Sequence, residues 1–137
     1  MYLLDTNVVS ELRRVRPHGA VLRWLQDVRD EDLHVSAVTI GEIQAGVEIT
    51  REQDQAKAAE IEAWLEQVAE TYNVLSMDGR TFRAWARLMH RRSDDLIEDA
   101  MIAATALVHH LTVVTRNVRD FEGFGVCALN PFTASAG

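Results

Sequence analysis

A short apolar run, Met1-Tyr2-Leu3-Leu4, meets Asp5 and then two small polar residues, Thr6 and Asn7. This is the pattern of a buried strand that delivers a carboxylate to the edge of its sheet. Val8 to Val15 predicts a short helix, with Ser10 near its start, stopped by Arg16-Pro17-His18-Gly19. Val21, Leu22, Trp24, Leu25 and Val28 recur at helical spacing and predict a second helix. After the polar break Asp30-Glu31-Asp32, the alternation in Leu33-His34-Val35-Ser36 predicts a second strand. Ser36 stands where an N-cap belongs, ahead of a helix from Ala37 to Ile49 whose first two turns carry Glu42. Gly41 and Gly46 weaken that helix by about 1 kcal/mol each relative to Ala, which raises the expectation of close backbone approach there.

The stretch from Gln53 to Glu70 predicts a long helix with Ala59, Ile61, Trp64, Leu65 and Val68 as its apolar stripe. Asn73 to Ser76 predicts a brief third strand, and Asp78 caps the helix that follows. On that helix Phe82, Trp85, Leu88 and Met89 share one side, while Arg80, Arg83, Arg87 and Arg91 form a stripe. Ser93-Asp94-Asp95 breaks the pattern ahead of a helix from Ile97 to His109, and Leu111 to Thr115 is a β-branched fourth strand. Phe121 to Phe132 lacks periodicity, with Val126-Cys127-Ala128 as a candidate fifth strand. Strands separated by helices of about ten or more residues require a parallel sheet with right-handed crossovers. The predicted fold is therefore α/β: a three-layer α/β/α sandwich around a central parallel sheet of four to five strands, with the opening strand central.

The chain's 137 residues fit a single domain spanning 1–137, large enough to bury a core unaided. Apolar residues make up 47% and charged residues 26%, which sets aside a disordered chain. A net charge of -7 argues against a general nucleic-acid coating protein but leaves room for a nucleic-acid enzyme with a local basic stripe. Cys127 is the sole cysteine, so no intrachain disulfide forms. The longest apolar stretch, Ala100 to Val108, is too short to span a bilayer, and the expected location is the cytoplasm, with no membrane partner.

In a parallel sheet, ligands bind beyond the carboxyl ends of the strands. Asp5 follows strand one, Glu42 lies early in the helix after strand two, Asp99 begins the helix before strand four, and Asp120 follows strand four. Four acids from distant parts of the chain thus converge on one end of the sheet. Carboxylates so placed raise one another's pKa or require a cation. Lys57 is the only lysine in the chain, and Arg116 and Arg119 are the nearest fixed positive charges to Asp120. Oxygen ligands of this kind suit Mg²⁺ or Mn²⁺ rather than zinc. Two histidines, His109 and His110, close a helix, where a cation favours the dipole. There is no phosphate-binding glycine loop and no Ser-His-Asp or Cys-His arrangement. A receiver-type regulatory domain would need an acceptor Asp after strand three, where Ser76-Met77 stand instead.

Four segments carry a family resemblance: Leu3-Leu4-Asp5-Thr6-Asn7-Val8-Val9-Ser10-Glu11-Leu12; Ser36-Ala37-Val38-Thr39-Ile40-Gly41-Glu42-Ile43; Glu98-Asp99-Ala100-Met101-Ile102-Ala103-Ala104-Thr105-Ala106; and Leu111 to Phe121. In order and spanning nearly the whole chain, they resemble PIN-domain proteins, within them the VapC and FitB type of toxin ribonuclease from toxin-antitoxin pairs. The resemblance implies that Asp5, Glu42 and Asp99 bind one or two Mg²⁺ or Mn²⁺ ions, with Asp120 as a fourth acid and Asn117 also within reach. It implies that Thr6 and Asn7 hold Asp5, that Thr115 stands near the phosphate, and that Glu98 adds an acid beside Asp99. The implied substrate is RNA, cut at its phosphodiester bonds. The implied partners are a cognate antitoxin whose C-terminal segment covers the acidic groove, and a second copy in a homodimer. A catalytically silent PIN module that binds RNA or a protein is the alternative on the same fold. The backbone of an RNA would be met by Arg13, Arg14 and Arg16, or by the arginine stripe.

Overall fold

A computed structural model describes residues 1–133. Five strands form one parallel sheet: β1 (Tyr2–Leu4), β2 (Leu33–Ser36), β3 (Asn73–Leu75), β4 (Thr112–Val114) and β5 (Ala128–Leu129), in the order β3-β2-β1-β4-β5. The opening strand is central, as its apolar run predicts. Seven helices connect the strands: α1 (Thr6–Glu11), α2 (Gly19–Gln26), α3 (Ala37–Arg51), α4 (Gln55–Thr71), α5 (Gly79–Met89), α6 (Ile97–His109) and α7 (Val118–Glu122).

Side chains alternate across β1 and β4, and this alternation builds the two cores. Leu3 and Val113 face a cluster with Ile102, Ala103, Ala106, Phe121 and Phe124, onto which Trp85, Leu88 and Met89 of α5 pack. Leu4 and Val114 face the other way, into a cluster with Val8, Val9, Val21, Leu33, Val35 and Val68. The result is the α/β/α sandwich. The Trp85 indole N–H donates to the carbonyl of Ile97 at 3.2 Å, so the half-buried ring leaves no orphaned donor.

Helix starts follow their caps. Asp5, Ser36, Asp54 and Asp78 each accept a backbone N–H of the first turn, opening α1, α3, α4 and α5. Because Asp5 is itself the cap, α1 begins at Thr6 rather than Val8, and it ends at Glu11 rather than reaching Val15. Its last residue explains the early stop: Glu11 turns its carboxylate onto the backbone N–H of His18 at 2.9 Å and folds the intervening loop back.

Several expectations need correction. On α4 the buried alanine is Ala58, while Ala59 faces solvent, because α4 turns toward Val47 of α3. Phe82 does not join the apolar side of α5; it is 43% exposed, with its ring edge-on to Trp85. Arg91 lies past the end of α5 in the left-handed region, so the stripe is three arginines long within the helix. Added Cβ atoms at Gly41 and Gly46 would meet nothing within 4 Å, since both lie on the solvent side of α3, and no close backbone approach occurs within the chain. The fifth strand is Ala128–Leu129, two positions later than expected at its start and paired to Val113 and Val114 of β4. The fourth strand is shorter than the β-branched run, and Val118–Glu122 forms α7, a helix the sequence pattern does not reveal.

Candidate active site at the carboxyl edge of the sheet

The order β3-β2-β1-β4-β5 reverses direction between β1 and β4, the position at which an open parallel sheet forms a crevice. Registers Leu4↔Val114 and Leu4↔Val35 carry the chain one step further to Asp5, Thr115 and Ser36 side by side. Asp5 extends the β1–β4 ladder with its own N–H to Val114 O at 2.9 Å. Its side chain is 4% exposed. One oxygen, Oδ1, accepts the Thr6 backbone N–H at 2.8 Å. The other, Oδ2, accepts the Thr115 hydroxyl at 2.8 Å and the Asn7 amide at 3.2 Å. Thr115, fully buried, also accepts the backbone N–H of Asn117 at 2.9 Å, so its single proton is committed to Asp5.

Glu42 lies in the second turn of α3, on the side facing α1. Its Oε1 accepts the Thr6 hydroxyl at 3.0 Å, and that hydroxyl sits 3.0 Å from the buried Thr39 hydroxyl. Since Thr6 spends its proton on Glu42, Thr39 donates to Thr6. Thr6 thus divides its work: its backbone holds Asp5 and its side chain holds Glu42. Asn7 behaves as the resemblance implies, and its Oδ1 further accepts the Arg116 N–H at 3.2 Å. Thr115 serves foremost as a partner of Asp5.

The acids feel one another. Burial pushes the Asp5 carboxyl up, and the hydrogen bonds from Thr115 and Thr6 oppose this. Burial also raises Glu42, as do the charges of Glu98, Asp5 and Asp99, against the Thr6 bond. Asp99, third residue of α6, is pushed up to about 6 by burial and by the charges of Asp5, Asp120 and Glu98. The charge of Asp5 thus bears on both Glu42 and Asp99, and that of Asp99 on Glu42, while Asp120, exposed in the first turn of α7, acts on Asp99 from the rim. Glu98 is exposed yet acts on both Glu42 and Asp99. No basic side chain among the described residues offsets the three central acids. Among the described residues no three His, Cys, Asp or Glu side chains are already gathered as a cation cage. The site matches a hard divalent cation by its oxygen donors and its uncompensated charge rather than by a closed shell.

Two participants do not show in the sequence pattern. Thr39 reads as a polar position within an apolar helix, and only the packing of α3 on α1 turns it toward Thr6. Glu11 reads as a solvated helix residue but is 5% exposed, beside Val8 and Val9.

Residues 2–125 match the family described as PIN domain. The chain is 34% identical to the VapC ribonuclease Y4jK of Sinorhizobium fredii, with 96% of this chain and 98% of that protein aligned. It is 32% identical to Toxin FitB of Neisseria gonorrhoeae, over 96% of this chain and 99% of that one. The crystal structure of FitAcB from Neisseria gonorrhoeae superposes with a TM-score of 0.85 at 33% identity, covering 97% of this chain and 99% of that chain.

Proposed function

The chain belongs to the PIN-domain family, and on that premise we propose that it is a metal-dependent ribonuclease, the toxin of a toxin-antitoxin pair. The observation that carries this reading is the uncompensated trio Asp5, Glu42 and Asp99 at one end of the sheet, where burial and the charges of Asp5, Asp120 and Glu98 push Asp99 up to about 6. Such a cluster costs folding free energy with no structural return unless a cation and a phosphate meet there. Asp5, Glu42 and Asp99 would hold Mg²⁺ or Mn²⁺, with Asp120 at the rim. When bound, the metal supplies Lewis acidity and a more acidic water for phosphodiester hydrolysis.

The chain's own groups do the positioning. Thr115, Asn7 and the Thr6 N–H fix both oxygens of Asp5 and leave one lone-pair site, on Oδ1, for a cation. The Thr39–Thr6–Glu42 relay fixes Glu42 without charge, which leaves the negative potential of the site undiminished. This rigidity favours a bound phosphodiester arriving with its cation over either component alone. The toxin reading brings a cognate antitoxin as inhibitor, a homodimer as assembly and the cytoplasm as location. No helix of the described residues is long and apolar enough to cross a membrane.

Purified protein is expected to cleave RNA in Mg²⁺ or Mn²⁺, to stop with EDTA, and to lose activity as Asp5→Asn or Asp99→Asn. Cleavage that survives both substitutions sinks the assignment. A monomer by light scattering at micromolar concentration would remove the dimer but not the nuclease.

A further inference from the structure

Outside the acid trio, one further buried acid is surrounded by cations. The Glu11 side chain is 6% exposed, whereas Arg14 and Arg116 beside it are 67% and 54% exposed. Both arginines address the same oxygen, Oε1, Arg14 at 3.4 Å and Arg116 at 3.9 Å, while Oε2 takes the His18 N–H. Arg116 is held a second way: its guanidinium carbon lies 3.8 Å from the centre of the Phe132 ring. Its backbone N–H is bound to Asn7, the residue that also holds Asp5. Arg116 therefore stands at the lip of the acid site with its guanidinium braced from two sides and half open to solvent.

Arg14 leads away from that lip. With Arg13 and Lys57, the chain's only lysine, it lines a groove of about 430 Å³ in which Glu60 is the one acid. Among the described residues Arg13 and Lys57 form no ion pair. In a chain of net charge -7, four cations thus run from α4 through the loop after α1 to the start of the catalytic edge. A carboxylate needed only to fix the loop could satisfy itself on backbone N–H groups; Glu11 instead spends one oxygen on two exposed guanidinium groups. Burying it is costly unless those partners stay in place.

We infer that Lys57, Arg13, Arg14 and Arg116 form a phosphate track that guides an RNA backbone to the acid site. Glu11 is the positioning residue that holds the two arginines of the track in register. This rests on the ribonuclease reading for its substrate, but its test does not require turnover.

Binding of a short labelled single-stranded RNA of mixed sequence is measured by fluorescence anisotropy in EDTA over a series of salt concentrations. Each phosphate contact contributes about -0.7 to the slope of log affinity against log salt. Arg14→Ala, Arg116→Ala and Lys57→Ala should each flatten the slope by about 0.7, and Arg116→Lys should restore most of it. Glu11→Gln separates two explanations by sign. Removing a bystander anion would tighten RNA binding, whereas removing the anchor weakens it. Unchanged slopes in Arg14→Ala and Arg116→Ala overturn the track, and tighter or equal binding by Glu11→Gln overturns the anchor. If Glu11→Gln fails to fold, the exposed arginine variants decide alone. Slopes that persist while affinity for an antitoxin falls would make the surface a protein contact and refute the proposal. Loss of metal-dependent cleavage by the wild type would instead strike the ribonuclease reading, since binding in EDTA is read separately.

Discussion

Asp99→Asn should make the metal-free protein more stable while abolishing cleavage. The Asp99 carboxyl is raised from 3.8 to about 6 by burial and by Asp5, Asp120 and Glu98. At about 1.4 kcal/mol per pKa step, the full displacement would be about 3 kcal/mol. The group is only half buried, and solvent screening reduces this to about 1–2 kcal/mol. Losing a negative charge in the first turn of α6 costs about 0.3–1 kcal/mol in return, leaving a net gain near 1 kcal/mol.

The pH dependence has a definite sign. Below about pH 4 the carboxyl is protonated folded and unfolded, and it carries no penalty. Between about 4 and 6 only the folded state keeps the proton, so stability falls as pH rises, and above about 6 the penalty is complete. Thermal melts in EDTA at about pH 7.5 should therefore place Asp99→Asn above wild type by roughly 3–5 °C for a chain of this size. The difference should shrink toward pH 4. Saturating Mg²⁺ should reverse the order, because a ligand at about 100 times its Kd adds about 2.7 kcal/mol to the form that binds it. Equal melting temperatures in EDTA, or an unchanged pH slope, would refute the claim that burial and neighbouring acids hold Asp99 up at this site.

Thr115→Val removes the buried hydroxyl that donates to Asp5 while preserving shape. Activity should fall roughly 10–100-fold, as for other outer partners of metal-binding carboxylates, and a Thr115→Ser variant should recover most of it in the same cleavage assay. Chemical denaturation of Ala58→Leu should show a loss of roughly 1–3 kcal/mol from overpacking, with Ala59→Leu within about 0.5 kcal/mol of wild type; equal costs would mean that α4 is rotated differently.

The parts of the fold that could be read in advance are those with a local signal. Ser36 and Asp78 announce helices because a side-chain oxygen beside an apolar periodic run has a single use. The parallel sheet follows from helices lying between strands, and β1 is central because its residues are apolar on both faces. The phase of α4 could not be read from Ala58-Ala59, two equal side chains whose difference comes from α3. Helix α7 is too short for a period to register, and β5 owes its bounds to β4. At the site, the four acids were legible from their positions relative to strands. Their hydrogen-bond partners were less so, since Thr39 and Thr115 gain their roles from residues 33 and 110 positions away.

That last separation bears on how the chain is made. Asp5 leaves the ribosome 110 residues ahead of Thr115, whose hydroxyl orients it, and β1 lacks its second neighbour until β4 follows. A nascent chain stalled short of β4 has an unpaired edge where the finished protein has the floor of its acid cluster, and it lacks Arg116 and Asp120 altogether. Synthesis itself thus withholds the completed site until β4 and α7 exist, a delay built into strand order rather than into any inhibitor.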